Sequence, residues 1–406
     1  MVLVSTSPIT QVILCLMQIP AFTIVLCLFV NSAYGQISNS VSADASPKRQ
    51  LTLPEKPYRY ANQVLPRHVK QVADFFDNTP ESNPITDEGA TLGRVLFYDP
   101  RLSVNGSTSC SSCHSQRTAF TDARRFSKGF EGEAVDRNSM SLVNLRYYRP
   151  GKFFWDERAD SLEDQVLMPI ENTIEMGHEL TALVSQLQSD PIYPPLFHEA
   201  FGTSEVTKEK LSRALAQFIR SMVSVNSRFD QGRAEVSSVL DPFPNFSEQE
   251  NYGKQQFFGR ARCSECHLPE TEGKSRAARQ SAFFQLEGPL VNGIDSDSDQ
   301  VDGGVGAFTS KESEWGRFKS TSLRNVVLTA PYMHDGRFRT LDQVIEHYNW
   351  SVKPHRNLDR RLEDFAANGL ALPEVEKVAL AAFLGTLTDS TFLTDPKFSD
   401  PFTHAE

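Results

Sequence analysis

The sequence predicts a mainly α-helical protein in which one helical unit is used twice, and three observations carry that reading. Cys-x-x-Cys-His occurs at Cys110–His114 and again at Cys263–His267. The segments ahead of the two strings match: "LGRVLFYD" at 92–99 and "YGKQQFFG" at 252–259 share a Gly, a basic residue and paired aromatic or apolar residues. The segments that close the units match as well, "ALAQFIRSM" at 214–222 and "ALAAFLGTL" at 379–387. A unit is therefore a helix, a Cys-x-x-Cys-His string, a long loop region and a closing helix.

The 406 residues are 39% hydrophobic and 23% charged, a balance able to bury one or two ordinary cores. A formal net charge of −10 with no basic stripe excludes a nucleic-acid binder and suits neutral or basic partners. Residues 1–35 carry no charged side chain, and an apolar run from Val12 to Val30 leads to Ala33-Tyr34-Gly35, the small-x-small form of a cleavage site. This reads as a secretory signal, so the protein is expected to be exported to the periplasm and to meet a membrane only if the segment stays uncleaved. Residues 36–84 are an N-terminal extension, 85–240 the first unit, 241–392 the second, and 393–406 a C-terminal tail. The Pro- and Ser-rich "SSVLDPFPNFSEQ" marks the join.

Helix starts are legible within the units. Thr86-Asp87-Glu88 places early acids before the first string, and Ser247-Glu248-Gln249-Glu250 is a capping box before the second. The closing helices show apolar spacing, with Leu211, Leu215, Phe218, Ile219 and Met222 in one and Val375, Val378, Ala379, Ala382 and Phe383 in the other. The Asp-rich "GIDSDSDQVDGG" lacks the central Gly and final Glu of an EF-hand and reads as a solvated surface loop.

With Cys15 and Cys27 inside the signal, Cys110, Cys113, Cys263 and Cys266 all stand in the strings, and no cysteine is left for a disulfide. Two thiols followed at once by a His are what covalent attachment of c-type haem requires: the thiols add to the vinyl groups and the imidazole turns onto the iron. The rival is a structural zinc site with four thiolates, but zinc pairs lie about 15–20 residues apart and need no adjacent His. A redox dithiol is the third reading, and it needs neither the His nor the duplicate. The expected fold is two helical domains, each enclosing one covalently attached c-type haem, with His114 and His267 as proximal ligands.

Further blocks surround the strings: "RNSMSLVN" at 137–144, "FFWDERADSLEDQVLMPIENTIEMG" at 153–177 and "SLRNVVLTAPYMHDGRFRTLDQVIEHY" at 322–348. With them, residues 85 to 390 resemble the di-haem bacterial cytochrome c peroxidases and their MauG-like relatives, more closely the MauG-like branch. The resemblance implies two cytochrome c-like domains. It puts Gln165, Pro169 and Glu175 in the pocket of the first haem, with Glu175 as the acid–base residue, a role suited to a carboxyl whose pKa burial raises. It sets Trp155 between the haems and Asn138 at a calcium site completed by carbonyls and water.

The two haems are expected to differ in their work. Many relatives keep a His between the first string and the "RNS" block that caps the first iron, and this chain has none between His114 and Asn138. The first haem is therefore expected to be open to peroxide at rest. On the second haem the resemblance makes Tyr348 the distal ligand, ahead of His347 and Met333, where typical peroxidases have Met. The leading expectation is an exported di-haem peroxidase that reduces hydrogen peroxide with electrons relayed through the second haem from a small cytochrome c or cupredoxin. Its alternatives are MauG-like oxidation of Trp or Tyr in a protein partner, and a di-haem electron carrier with no peroxide chemistry.

Overall fold

Each unit is closed by two crossed helices, and a glycine sets the distance of each crossing. The computed structural model describes residues 49–267, 283–285 and 288–404, and the expected signal lies outside them. Helix α1 (Asp87–Tyr98) starts at Thr86, whose hydroxyl accepts from Gly89 N at 2.9 Å. It crosses α2 (Lys208–Arg220), capped by Thr207. Helix α3 (Glu248–Phe258) carries the capping box anticipated at Ser247 and Glu250 and crosses α4 (Glu374–Gly385). A Cβ on Gly93 of α1 would stand 2.0 Å from Ala214 O, and one on Gly253 of α3 would stand 1.8 Å from Ala379 O. The glycine common to the two matching segments thus permits backbone-to-backbone approach.

The inner face of α2 is the one its spacing indicates: Leu211, Leu215, Phe218, Ile219 and, just beyond it, Met222 are all buried. Helix α4 is rotated from expectation. Val375 and Val378 are 63% and 42% exposed, while Ala379, Leu380, Phe383 and Leu384 face inward together with Glu376. Glu376 occupies an inner position because Arg260 binds both its oxygens, at 2.9 and 2.7 Å, and Tyr252 donates to it as well.

Two main cores result. The first gathers Phe97, Phe120 and Phe218 and is completed by Phe392, Phe398 and Phe402 from the far end of the chain. The second gathers Phe229, Phe257, Phe284 and Phe383. The strand Arg49–Leu51 pairs antiparallel with Phe402–His404, so extension and tail form a ribbon whose Leu51 and Phe402 join the first core. The helix Arg67–Phe76 packs with Tyr147 and Phe283, which stack at 4.1 Å and tie the halves together. Among the described residues no helix is long and apolar enough to cross a membrane.

The repeat extends into the loops. Asn144 and Asn325 hold matching left-handed positions, each with φ of 60°, and their amides both reach Ser224. Across the junction the halves exchange main-chain hydrogen bonds: Asn138 N donates to His334 O at 2.7 Å, and Lys319 N donates to Trp155 O at 2.8 Å. The Asp-rich segment is more than solvated surface. Asp295 pairs with Arg337, Asp297 with Arg356, Asp299 with Lys353 and Asp302 with Arg137, the last linking the two halves.

Replacing Gly93 or Gly253 by Ala forces a methyl into a facing carbonyl, an overpacking expected to cost about 1–3 kcal/mol. Thermal unfolding of Gly93→Ala and Gly253→Ala should show a lowered midpoint in each, whereas Gly385→Ala, which meets no neighbour within 4 Å, should leave it close to wild type.

Candidate active site

The first string begins with a capping box at Ser109, forms one turn over Cys110–Cys113, and turns out at His114, whose main-chain N bonds Cys110 O at 3.0 Å. His114 Nδ1 lies 2.9 Å from Phe120 O, and this carbonyl fixes the ring with Nε2 left as the free ligand atom. Phe120 reaches that place through a left-handed φ of 57°. The second string repeats the turn over Ser264–His267, and Phe284, with φ of 49°, brings the matching carbonyl to His267. Burial lowers the pKa of His114 and brings His267 down to about 4, so both imidazoles are neutral, as metal ligands need to be.

Burial pushes the thiols the other way, Cys110 and Cys263 up to about 12 and Cys266 to about 11, with Cys113 also raised. A redox dithiol depends on a lowered thiol pKa, so these pairs do not suit that chemistry. Among the described residues no three His, Cys, Asp or Glu side chains converge as a metal cluster, which removes the four-thiolate zinc reading. Two neutral thiols and one neutral imidazole in each short turn do fit covalent haem.

A largely apolar cavity of about 220 Å³ opens at the second string. Cys263, Cys266, His267, Tyr348, Trp155 and Asn138 all line it, so residues scattered over more than two hundred positions meet at one place. Tyr348 is delivered by a helix over Leu341–Glu346 that widens into a π-turn at His347–Ser351, a distortion frequent at functional positions. Burial, and then the nearby Cys266, raise the pKa of the Tyr348 phenol, while a hydrogen bond to Asn292 opposes the rise. His347 turns away and bonds Asn292 O at 3.1 Å. Met333 also lines the cavity, its sulfur accepting from Asn292 Nδ2 at 3.4 Å. His334 lies flat on Phe318 at 3.7 Å.

Trp155 is half-buried, its indole Nε1 donating to Asn138 O at 2.8 Å. Asn138 spends Nδ2 on the carbonyls of Arg124 and Arg125, which leaves Oδ1 as its atom for a cation. Lys319, buried beside them, is brought down to about 7 by burial against the opposing pull of Glu157.

Of the residues expected around the first haem, Gln165 ends the short helix Leu162–Gln165, and Pro169 stands in the first turn of the next, Met168–Glu171. An Asx turn follows: Asn172 Oδ1 accepts from Ile174 N and Glu175 N at 2.8 and 3.1 Å and aims Glu175 inward. Burial raises the Glu175 carboxyl, with Arg158 opposing, and both Cys110 and Cys113 feel its charge. Pro169 and Tyr348 are repeat partners, since each stands eight residues beyond a helix N-cap, Ser161 or Thr340. The sequence reading missed this correspondence, although "SLEDQV" against "TLDQVI" carries it. Asn292 and Arg158 were also missed, and nothing in their local sequence marks them.

Residues 87–236 match the family described as di-haem cytochrome c peroxidase. The methylamine utilization protein MauG of Methylorubrum extorquens is 32% identical over 311 residues, covering 76% of this chain and 80% of that one. The cytochrome c551 peroxidase of Nitrosomonas europaea is 33% identical over 314 residues, covering 76% and 81%. A solved MauG-like protein associated with microbial copper homeostasis superposes with a TM-score of 0.69 at 31% identity, over 84% of this chain and 99% of that one. With its two Cys-x-x-Cys-His turns and this extent of likeness, the chain belongs to the family of di-haem cytochrome c peroxidases and MauG, oxidoreductases that carry two covalently bound c-type haems.

Proposed function

We propose that this chain is an exported enzyme that takes up hydrogen peroxide at the first haem without prior reduction and passes the oxidising equivalents, by way of Trp155 and a Tyr348-capped second haem, to an aromatic side chain of a protein partner. The observation that carries this reading is Tyr348, whose phenol stands in the second cavity with Cys263, Cys266 and His267. As a ligand Tyr348 would supply an anionic oxygen, which suits a haem that stores oxidising power better than one that only relays electrons from a small donor protein. A cytochrome or cupredoxin donor is the second reading, supported by Met333 in the same cavity as an alternative ligand. Oδ1 of Asn138, with carbonyls and water, would hold a calcium ion at the junction of the halves.

Haem, once bound, supplies the redox chemistry. Glu175 takes a proton from peroxide and returns it to the departing hydroxyl, which requires the carboxylate form in the resting enzyme. Arg158 acts on Glu175 through its charge and is itself held by Asp156 at 3.0 Å, so the Trp155 loop supplies a fixed positive charge near the acid–base residue. His114 and His267 would hold the two irons; the His114 ring is fixed for this by the carbonyl of Phe120, while Nδ1 of His267 is buried without a hydrogen-bond partner.

Stopped-flow absorbance of the fully oxidised, haem-loaded protein with one equivalent of peroxide and no reductant should show a fast Soret change and a slowly decaying product. No response before reduction would overturn the open first haem. Glu175→Gln should slow that reaction by about 10²–10⁴-fold with both haems still attached. Because burial raises Glu175, the wild-type rate should fall as pH drops through an inflection above the ordinary glutamate range near ~4.3, and the inflection should vanish in Glu175→Gln. Tyr348→Phe should change the resting spectrum of one haem only and shorten the lifetime of the peroxide-oxidised product; an unaltered spectrum would remove Tyr348 as a ligand.

A further inference from the structure

Tyr148 is fully buried, and its hydroxyl donates to Glu157 Oε1, two residues beyond Trp155. The lysine side chain above it completes the arrangement. Lys319 Nζ stands 3.5 Å from the centre of the Tyr148 ring and donates to Lys152 O at 3.1 Å, while Lys319 N donates to Trp155 O at 2.8 Å. One residue therefore touches both the tyrosine and the tryptophan.

The internal repeat shows that this is an addition to the common plan. Glu157 has φ of 54°, in the left-handed region, and its partner in the second unit is Gly336, with φ of 62°. The two turns are otherwise alike: Arg158 N reaches Asp156 Oδ1, and Arg337 N reaches Asp335 Oδ1. Glycine is the residue this backbone favours, so the first unit holds a carboxylate where its conformation is strained. The partner of Tyr148 is Thr329, and that of Lys319 is Asn138, so phenol, carboxylate and covering amine occur together only beside Trp155.

We propose that Tyr148 is a redox-active side chain of the peroxide reaction, yielding one electron by way of Trp155 while its phenolic proton passes to Glu157. Hydrogen peroxide is the oxidant: it takes two electrons and two protons to become two waters; Tyr148 supplies one of those electrons, the haem that meets peroxide would supply the other, and the two protons come from solvent water. The Tyr148 O–H bond breaks, the Glu157 carboxylate gains the proton, and a neutral phenoxyl and a neutral carboxyl remain. Return of one electron and the same proton restores the pair. Because no net charge is left on the ring, the covering amine does not oppose the step, and exclusion of water protects the phenoxyl.

The inference rests on the proposed peroxide reaction, and one experiment separates the two. The haem-loaded full-length protein, with ring-deuterated tyrosine, is frozen milliseconds after one equivalent of hydrogen peroxide without reductant and read by electron paramagnetic resonance, with parallel absorbance of the haems. The expected result is an organic radical signal that narrows on deuteration and is lost in both Tyr148→Phe and Glu157→Gln. The second variant keeps a hydrogen-bond partner for the phenol but not a proton acceptor. Resting haem absorbance equal to wild type shows that each variant is folded and loaded. A signal indifferent to deuteration, or one that survives in either variant, overturns the assignment. Haem absorbance that ignores peroxide in the wild type overturns the peroxide reading and this inference with it.

Discussion

Two main-chain hydrogen bonds at the junction fix the relation of everything around them. Asn138 N to His334 O and Lys319 N to Trp155 O are counterparts in the repeat, each half giving a donor and receiving one. The bonds join the loop after one string to the turn before the distal helix of the other half. Trp155 lines the cavity at the second string with its carbonyl held by Lys319 N and its indole held by the carbonyl of Asn138. Peptide groups buried at such a junction are costly to leave unpaired, so the reciprocal arrangement is stable as a whole and hard to change in one half alone.

On this common frame the halves diverge through a few side chains. The same position beyond a capped helix holds Pro169 in one unit and Tyr348 in the other, a residue unable to ligate metal set against a phenol that can. Proline offers no donor or acceptor in its side chain, so the two units present different chemistry at one and the same position of the repeat. Burial works to the same end throughout: it keeps the thiols and the proximal imidazoles neutral and raises Glu175, without any separate device at each group.

Much of this was legible in the sequence because it is local. The Cys-x-x-Cys-His turns, the Thr86 and Ser247 caps and the α2 face follow from residues within a few positions of one another. The phase of α4 was not legible, since it depends on Arg260 and Tyr252 reaching Glu376 from more than a hundred positions away. The Asp-rich loop lies at the surface as expected, but its ion pairs were not legible, because its partners Arg137, Arg337, Lys353 and Arg356 are remote in sequence. Glu175 and Tyr348 were singled out through family likeness alone. Asn292 and Lys319, which touch or flank them, carry no local mark, and only the folded chain brings them to the site.

The ribbon of Arg49–Leu51 with Phe402–His404 also bears on how the molecule is made. Phe392, Phe398 and Phe402 fill the core around the first string, so the first half is completed by residues that follow the second in sequence. Without that segment the core lacks three aromatic rings and Gln116 lacks the carbonyls of Phe392 and Asp395. The second half is, in topological terms, an insertion between the two edges of the first. Cys110 packs against this core, so the ribbon closes the surroundings of the first string with segments from both sides of the second half.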